Sequence, residues 1–194
     1  MSSRRQQILE AFRRRLHHYG YDKTTMSEIA TDVGISVGAL YLEFRSKEDI
    51  LAALTEETAS EFEAVFRDIA ASQLPAPQRL RDLLRARVEL WNRCCREAAH
   101  SGEVLLARSD RCTAMRSAKE ARYLALLERI LADGAQGSEL VVPDVQDCAR
   151  LLRDAISVYL PPRSLERESG EVQAAARRLI DLLVRGLTPE FQRV

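Results

Sequence analysis

The sequence predicts an all-α fold in which an N-terminal three-helix domain is joined by a continuous helix to a larger C-terminal helical domain. Apolar residues recur at helical spacing along most of the 194 residues. Capping residues and glycines divide the N-terminal part into short helices. No glycine or proline interrupts the helical pattern from Lys47 to Ser72. We therefore expect a first domain at residues 1–47 and a second at residues 48–194.

The first helix is predicted at residues 4–19, and Gly20 ends it. One face carries an apolar stripe that should cover the two helices that follow, and we expect it to complete a three-helix domain. The stripe consists of Ile8, Leu9, Phe12, Leu16 and Tyr19.

Two short helices joined by a tight turn come next. Thr25 and Glu28 have the spacing of a capping box, so a helix should begin at about Met26. Gly34 supplies the turn residue that stops this helix, and Ser36 can cap a second one. The second helix should run from Val37 to Phe44, with an inward face of Val37, Leu40, Tyr41 and Phe44.

Two short helices around a turn that contains glycine indicate a helix-turn-helix, whose second helix lies in the major groove of DNA. The early residues that would meet base edges are small or apolar, and none can make a bidentate contact to a base. These residues are Val37, Gly38, Ala39 and Leu42. Phosphate contacts must then supply much of the affinity. The candidates are Thr25, Ser36, Tyr41 and Lys47.

The same stretch, roughly residues 4–52, resembles the DNA-binding domain of TetR/AcrR-type transcriptional regulators in the order and spacing of many residues. These are Gly20-Tyr21, Thr24-Thr25, Ile29-Ala30, Gly34-Ile35-Ser36, Gly38-Ala39-Leu40-Tyr41, Phe44 and Ser46-Lys47-Glu48. The resemblance implies a DNA-facing Tyr41 and a small-molecule effector that binds the C-terminal domain and shifts the connecting helix. Glu43 departs from the pattern, because family members often carry His or Tyr there.

The C-terminal domain is predicted to consist of amphipathic helices after the connecting helix, which ends at about Ser72. The core-facing positions of the connecting helix are Ile50, Leu51, Leu54, Thr58, Phe62, Val65, Phe66 and Ile69. The later helices are predicted at residues 78–99, 103–108, 112–133, 144–160 and 168–187, with a loop from Gly134 to Pro143.

The helix at residues 144–160 is apolar on two faces, so the last pair of helices has surface left over after it packs on its own domain. A symmetric homodimer through a four-helix bundle would cover that surface. The resemblance implies the same, since TetR-like proteins dimerise through their last two long helices. Two recognition helices would then lie about 34–36 Å apart, or a multiple of that, which predicts a palindromic double-stranded DNA operator.

The predicted effector site is lined by aromatic residues and one cysteine of the C-terminal domain. The candidate lining residues are Phe62, Phe66, Trp91, Cys94, Tyr123 and Tyr159. Few charged residues fall on the inferred inner faces, so we expect an apolar or aromatic effector.

The formal net charge is zero, which argues against an indiscriminately basic nucleic-acid coat. Residues 1–47 hold eight Lys/Arg and five Asp/Glu, so they carry +3 and the remainder carries −3. No apolar run is long enough to span a membrane and the N-terminus is unlike a signal peptide, so a cytoplasmic protein is expected.

Two alternatives share the DNA-binding domain. One is a transcriptional activator instead of a repressor. The other is a redox or metal sensor that uses Cys94, Cys95, Cys112 and His100, although the four cysteines lack the paired spacing of zinc sites. An enzyme is not expected, because the chain has no phosphate-binding glycine loop, nucleophile elbow or close metal-ligand cluster. No cofactor and no resident metal are predicted.

Overall fold

The computed structural model describes residues 3–97 and 110–191, with side chains at positions 3–96 and 117–191. Every regular element in these residues is helical. The chain divides into two compact units. The first, which we call the head, is Met1–Ser60 with Cys94–Cys112, and the second, the body, is Glu61–Arg93 with Thr113–Val194.

Within residues 3–60, the head consists of three helices and the start of a fourth. They are α1 (Arg4–Tyr19), α2 (Met26–Val33), α3 (Val37–Glu43) and the first part of α4 (Lys47–Ala71). Their buried side chains make one hydrophobic core, to which each helix contributes. Its largest fully buried members are Ile8, Phe12, Ile29, Leu40 and Ile50.

An ion pair fixes α2 against α1 outside this core. Arg15 donates from Nε and Nη2 to the two carboxylate oxygens of Asp32, at 2.6 and 2.9 Å. The hydrogen bond to Arg15 holds the pKa of Asp32 below its ordinary value. Bidentate pairing of this kind adds geometric specificity as well as energy, so it orients the short helix α2.

Four residues predicted to face a core are exposed instead. Tyr19 lies at the end of α1 with 57% of its surface accessible. Val37 and Tyr41 of α3 and Val65 of α4 are also exposed. The inward-face prediction for α3 was wrong at both positions, because a helix of seven residues buries only Leu40 fully.

Among the described residues, four further helices follow α4 and lie mainly in the body, which also contains the rest of α4. These are α5 (Ala76–Glu97), α6 (Asp110–Gln136), α7 (Val145–Ile156) and α8 (Ser169–Gly186), with 3₁₀ turns at Ser157–Tyr159 and Arg163–Glu166. Leu80, Leu83 and Leu84 of α5 and Leu127, Ile130 and Leu131 of α6 are fully buried.

The largest boundary errors in the body are at the ends of α6 and α7. Helix α6 continues through Gly134 to Gln136, where a loop was expected to begin. A Cβ at Gly134 would lie 2.6 Å from Leu140 Cδ1 and 2.8 Å from Ala76 Cβ, so this glycine serves close packing and does not end the helix. Helix α7 ends at Ile156 and gives way to a 3₁₀ turn, four residues before the predicted end at Leu160.

The predicted helix at residues 103–108 lies outside the described residues. None of the described helices is both long enough and apolar enough to cross a membrane.

Candidate nucleic-acid interface

The N-terminus of α2 is fixed by a reciprocal capping box. Thr25 Oγ1 accepts from the Glu28 N–H at 3.3 Å, and the Glu28 carboxylate accepts from the Thr25 N–H at 2.9 Å and from its hydroxyl at 2.7 Å. These bonds to Thr25 hold the pKa of Glu28 below its ordinary value. The predicted capping box is confirmed.

The turn between α2 and α3 is made by Gly34, which has φ +73° and ψ 33° in the left-handed region. Residues with a side chain rarely adopt this conformation. The Gly34 N–H donates back to carbonyls of α2, and Ser36 Oγ then accepts from the Ala39 N–H at 3.1 Å. The turn and the caps therefore set the direction of α3 after α2.

Helix α3 is anchored from one side and open on the other. Leu40 and Phe44 are buried, whereas Val37 is 39% exposed, Tyr41 50% and Leu42 88%. A Cβ at Gly38 would find only Ser36 Oγ within 4 Å, at 3.9 Å. An exposed leucine beside open backbone leaves a surface that can approach the floor of a groove closely.

Lys47 of α4 ties the loop before α2 to the start of α4. Its Nζ donates to the carbonyl oxygens of Tyr21 and Thr24, at 2.8 and 3.0 Å, and lies 4.0 Å from the centroid of the Tyr21 ring. The ammonium group has three donors, so one remains after these two carbonyls. Lys47 is therefore a support of this loop in addition to its predicted role as a phosphate contact.

The Tyr21 ring is held from its other end by Glu48. Its hydroxyl donates to Glu48 Oε1 at 2.9 Å. Burial, followed by this bond, raises the pKa of the Tyr21 phenol. Tyr21 thus stays protonated and keeps donating to Glu48.

The structure places most of the predicted DNA-contacting residues at the surface of the head. Thr25, Ser36, Val37, Gly38, Tyr41 and Leu42 are exposed, and Ala39 and Lys47 are half-buried. Glu43 is half-buried as well. That these residues contact DNA stays a prediction.

Four of the five aromatic residues predicted to line an effector site pair within the body. The rings of Phe62 and Trp91 meet edge to face at 5.4 Å, and those of Phe66 and Tyr123 at 5.3 Å. Tyr123 is 3% exposed, and its hydroxyl has no hydrogen-bond partner among the described residues. Burial raises the pKa of this phenol, so it remains a donor. Cys94 falls in the head unit and is half-buried.

Three polar residues of the body were missed by the sequence analysis. The Arg87 guanidinium lies 4.0 Å over the Tyr123 ring and donates to Glu120 Oε2 at 2.6 Å. Asn92 is buried and donates to the Tyr159 carbonyl oxygen at 2.7 Å. Arg87 lies on the apolar stripe of α5, four residues before Trp91. Its position in the sequence could therefore have indicated a buried charge.

The cysteines of the described residues form no disulfide and no metal-binding group. Cys94 and Cys148 are half-buried and Cys95 is buried, and no group of three metal-ligating side chains occurs in this part of the chain. Burial raises the pKa of Cys95 to about 12. The Cys112 side chain and His100 lie outside the described residues.

Comparisons with known proteins agree with this architecture. Residues 8–54 match the model of the bacterial regulatory proteins of the tetR family. The HTH-type transcriptional repressor Rv1474c of Mycobacterium tuberculosis is 30% identical over 162 residues, which cover 72% of this chain and 86% of the relative. The fatty acid metabolism regulator protein of Bacillus subtilis is 24% identical over 191 residues, covering 93% of this chain and 94% of the relative.

Two solved structures share the fold over nearly their whole length. A transcriptional regulator of the TetR/AcrR family from Thermobifida fusca superimposes with a TM-score of 0.80 at 25% identity, covering 95% of this chain and 98% of the other. The regulator FadR from Bacillus subtilis, solved in complex with stearoyl-CoA, gives 0.72 at 23% identity, covering 93% and 98%. The helix-turn-helix head, the helical body and these relatives together establish that the chain belongs to the TetR family of bacterial regulatory proteins, which are DNA-binding transcriptional regulators and not enzymes.

Proposed function

We propose that the protein is a ligand-responsive transcriptional repressor that binds a palindromic operator as a homodimer and is released by a small molecule. The observation that carries the proposal is the open face of α3, where Val37, Tyr41 and Leu42 are exposed on a helix anchored by Leu40 and Phe44. The sign of regulation is supported by the relative that is 30% identical, which is named as a repressor. Such a regulator acts in the cytoplasm, on chromosomal DNA.

The proposed dimer is supported by exposed leucine and valine side chains on the last helices of the body. Leu151 of α7 and Leu182 of α8 are each 61% exposed, and Val158 in the 3₁₀ turn after α7 is 44% exposed. Both helices also bury an apolar face in their own chain, through Leu152, Ile156, Val172 and Ile180. A second copy of the same chain would cover the outer face by a two-fold interface.

The proposed effector site lies at the paired rings of Phe62, Phe66, Trp91 and Tyr123. A buried hydroxyl without a partner costs about 1–3 kcal/mol, which a ligand with a hydrogen-bond acceptor would recover at Tyr123. The charge of Arg87 beside this ring is offset by Glu120, so the acceptor is a neutral carbonyl and not a carboxylate. Cys94 and Tyr159 stay predicted lining residues.

An acyl thioester combines a long apolar chain with a neutral carbonyl, so acyl-CoA is the first effector class to test. The Bacillus subtilis regulator whose fold is shared was solved with stearoyl-CoA. Binding beside Phe62 and Phe66 would act on α4, which also carries Lys47 in the head.

The coupling has a thermodynamic requirement. The effector releases DNA only if it binds the DNA-incompetent state more tightly, and DNA must then weaken effector binding by the same factor. A molecule that binds both states equally would leave the operator occupied.

The function is tested by selecting bound duplexes from a random DNA pool with the purified protein at near-physiological salt. Enrichment of a palindrome supports a sequence-specific dimer, and no enrichment from folded, ligand-free protein contradicts the proposal. Stearoyl-CoA is then titrated against the selected complex, with coenzyme A as the control. Transcription in vitro from a promoter that carries the selected operator separates a repressor from an activator.

A cysteine-based sensor is a weaker candidate. A thiol must be a thiolate to react or to bind a metal, and the raised pKa of Cys95 keeps it protonated near neutral pH. DNA release that is unchanged after thiol alkylation would count against this alternative, and release caused by alkylation would favour it.

A further inference from the structure

Arg5, in the first turn of α1, lies over the ring of the residue that ends the recognition helix. Its guanidinium carbon is 4.3 Å from the centroid of the Phe44 ring. Phe44 is the C-cap of α3 and is 3% exposed, so its ring is fixed in the core of the head. The guanidinium is thereby held beside the C-terminal end of α3.

Stacking on a ring leaves the donors of a guanidinium available. The contact uses the flat face of the group, whereas its five N–H donors point outward in the plane. An arginine held in this way loses less side-chain freedom when it binds a phosphate than an extended, unsupported one. Arg5 can therefore donate hydrogen bonds from the N–H groups in the plane of its guanidinium, while the Phe44 ring holds the group in place.

Three arginines of α1 pair with carboxylates within the head, whereas the two in its first turn, Arg4 and Arg5, do not. Arg13 contacts Glu57 at 3.1 Å, Arg14 contacts Glu10 at 4.0 Å, and Arg15 pairs with Asp32. Among residues 3–96 and 117–191, no carboxylate oxygen lies within 4.0 Å of a guanidinium nitrogen of Arg5. The positive charge of α1 that no carboxylate offsets thus lies at its N-terminal end, where Arg5 lies over the Phe44 ring.

Exposed residues lie close to Phe44 in the sequence on both sides. Tyr41, which is half exposed, precedes Phe44 by one helical turn, and Arg45 follows Phe44 directly and is exposed. A helix that lies in the major groove has the DNA backbone at its flanks, where phosphates are the available acceptors. We propose that Arg5 binds a backbone phosphate of the operator at the C-terminal flank of α3; this inference rests on the proposed binding of DNA by the head.

The test compares Arg5→Ala with Arg14→Ala by fluorescence anisotropy, on the selected operator and on a scrambled duplex of equal length. Both residues are exposed on α1, and both changes remove one positive charge per protomer. Salt is varied from about 50 to 200 mM, the range over which phosphate contacts are resolved as a slope. Thermal unfolding of each variant is recorded alongside.

Arg5→Ala should weaken binding to both duplexes by about tenfold or more for each lost charged contact. The slope of log affinity against log salt should become shallower by about 0.9 for each protomer bound. Arg14→Ala should change the affinity by less than about twofold, since Arg14 is assigned no contact with DNA and its exposed pair with Glu10 contributes little to stability. Arg5→Lys, which keeps the charge but not the planar fork, should fall between wild type and Arg5→Ala.

Equal behaviour of Arg5→Ala and Arg14→Ala would overturn the inference. An Arg5→Ala protein that unfolds earlier but keeps the wild-type salt slope would reduce the stacking to a structural contact. A loss confined to the operator would indicate a base contact and overturn the phosphate assignment. Wild-type protein that binds neither duplex would instead contradict the proposed function.

Discussion

Removing the Lys47 side chain should destabilise the head, because three interactions converge on its ammonium group. Two are hydrogen bonds to the carbonyls of Tyr21 and Thr24, and the third is the contact with the Tyr21 ring. Each hydrogen bond to a charged group contributes about 1.5–3 kcal/mol to the free energy of unfolding. A cation–π contact at an exposed site contributes about 0.5 kcal/mol. Lys47 is half-buried, so water can replace part of these interactions when the side chain is removed. Lys47→Ala should therefore lower the free energy of unfolding by about 2–3 kcal/mol.

Urea unfolding followed by circular dichroism measures this cost. With a slope of about 2 kcal/mol per molar urea, the midpoint should fall by about 1 M. Lys23→Ala is the matched control, since Lys23 is an exposed lysine of the same loop. Equal midpoints for the two variants would refute the argument that Lys47 supports this loop.

The same variant tests the predicted phosphate contact separately. The third donor of Lys47 is available to a phosphate, so Lys47→Ala should weaken binding on all duplexes and lower the salt slope by about 0.9 per protomer. An unchanged slope with a lower midpoint would leave Lys47 as a support of the loop and remove it from the phosphate contacts.

Two further substitutions test the body. Leu182→Glu should convert the dimer into a monomer of 21.9 kDa, measured by sedimentation velocity. Leu74→Glu, at an exposed leucine outside the last two helices, should remain dimeric. A dimeric Leu182→Glu protein would place the interface elsewhere. Tyr123→Phe removes the unpaired hydroxyl and keeps the ring, so the unliganded protein should be as stable as wild type or up to about 1 kcal/mol more stable. Its affinity for stearoyl-CoA, measured by calorimetry, should fall about tenfold, and an unchanged affinity would take Tyr123 out of the effector site.

The features of the head that could be predicted from the sequence are local ones. Thr25 and Glu28 are three residues apart, and Gly34 and Ser36 act on their own turn, so each one determines the chain nearby whatever packs around it. Lys47 meets Tyr21 and Thr24 across 26 and 23 residues of sequence. No short-range pattern encodes such a contact.

The apolar periodicity does not determine which face is buried where a helix is short. In α3 the same residues, Val37 and Tyr41, fit an inward stripe by spacing, yet they belong to the exposed face because Leu40 and Phe44 already fill the core. Arg87 shows the opposite case. Charged residues are ordinarily exposed, yet Arg87 is buried against the Tyr123 ring and paired with Glu120.

The ring pairs of the proposed effector site could be predicted only in part for a related reason. Spacing indicates that Phe62 and Phe66 share a face of α4, but it does not say which rings of α5 and α6 meet them. Those partners, Trp91 and Tyr123, depend on how the helices of the body cross. The missing hydrogen bond of the Tyr123 hydroxyl is likewise a property of the packed body and not of any motif.

The central claim is that two α3 helices of a symmetric dimer bind half-sites on one face of the DNA. It is tested most directly by inserting about 5 base pairs, half a helical turn, at the centre of the selected palindrome. Both half-sites survive but face opposite sides, so affinity should fall about a hundredfold or more, and inserting about 10 base pairs should lower it less. Equal affinity for the original and the half-turn duplex would contradict a rigid dimer that reads both half-sites through α3.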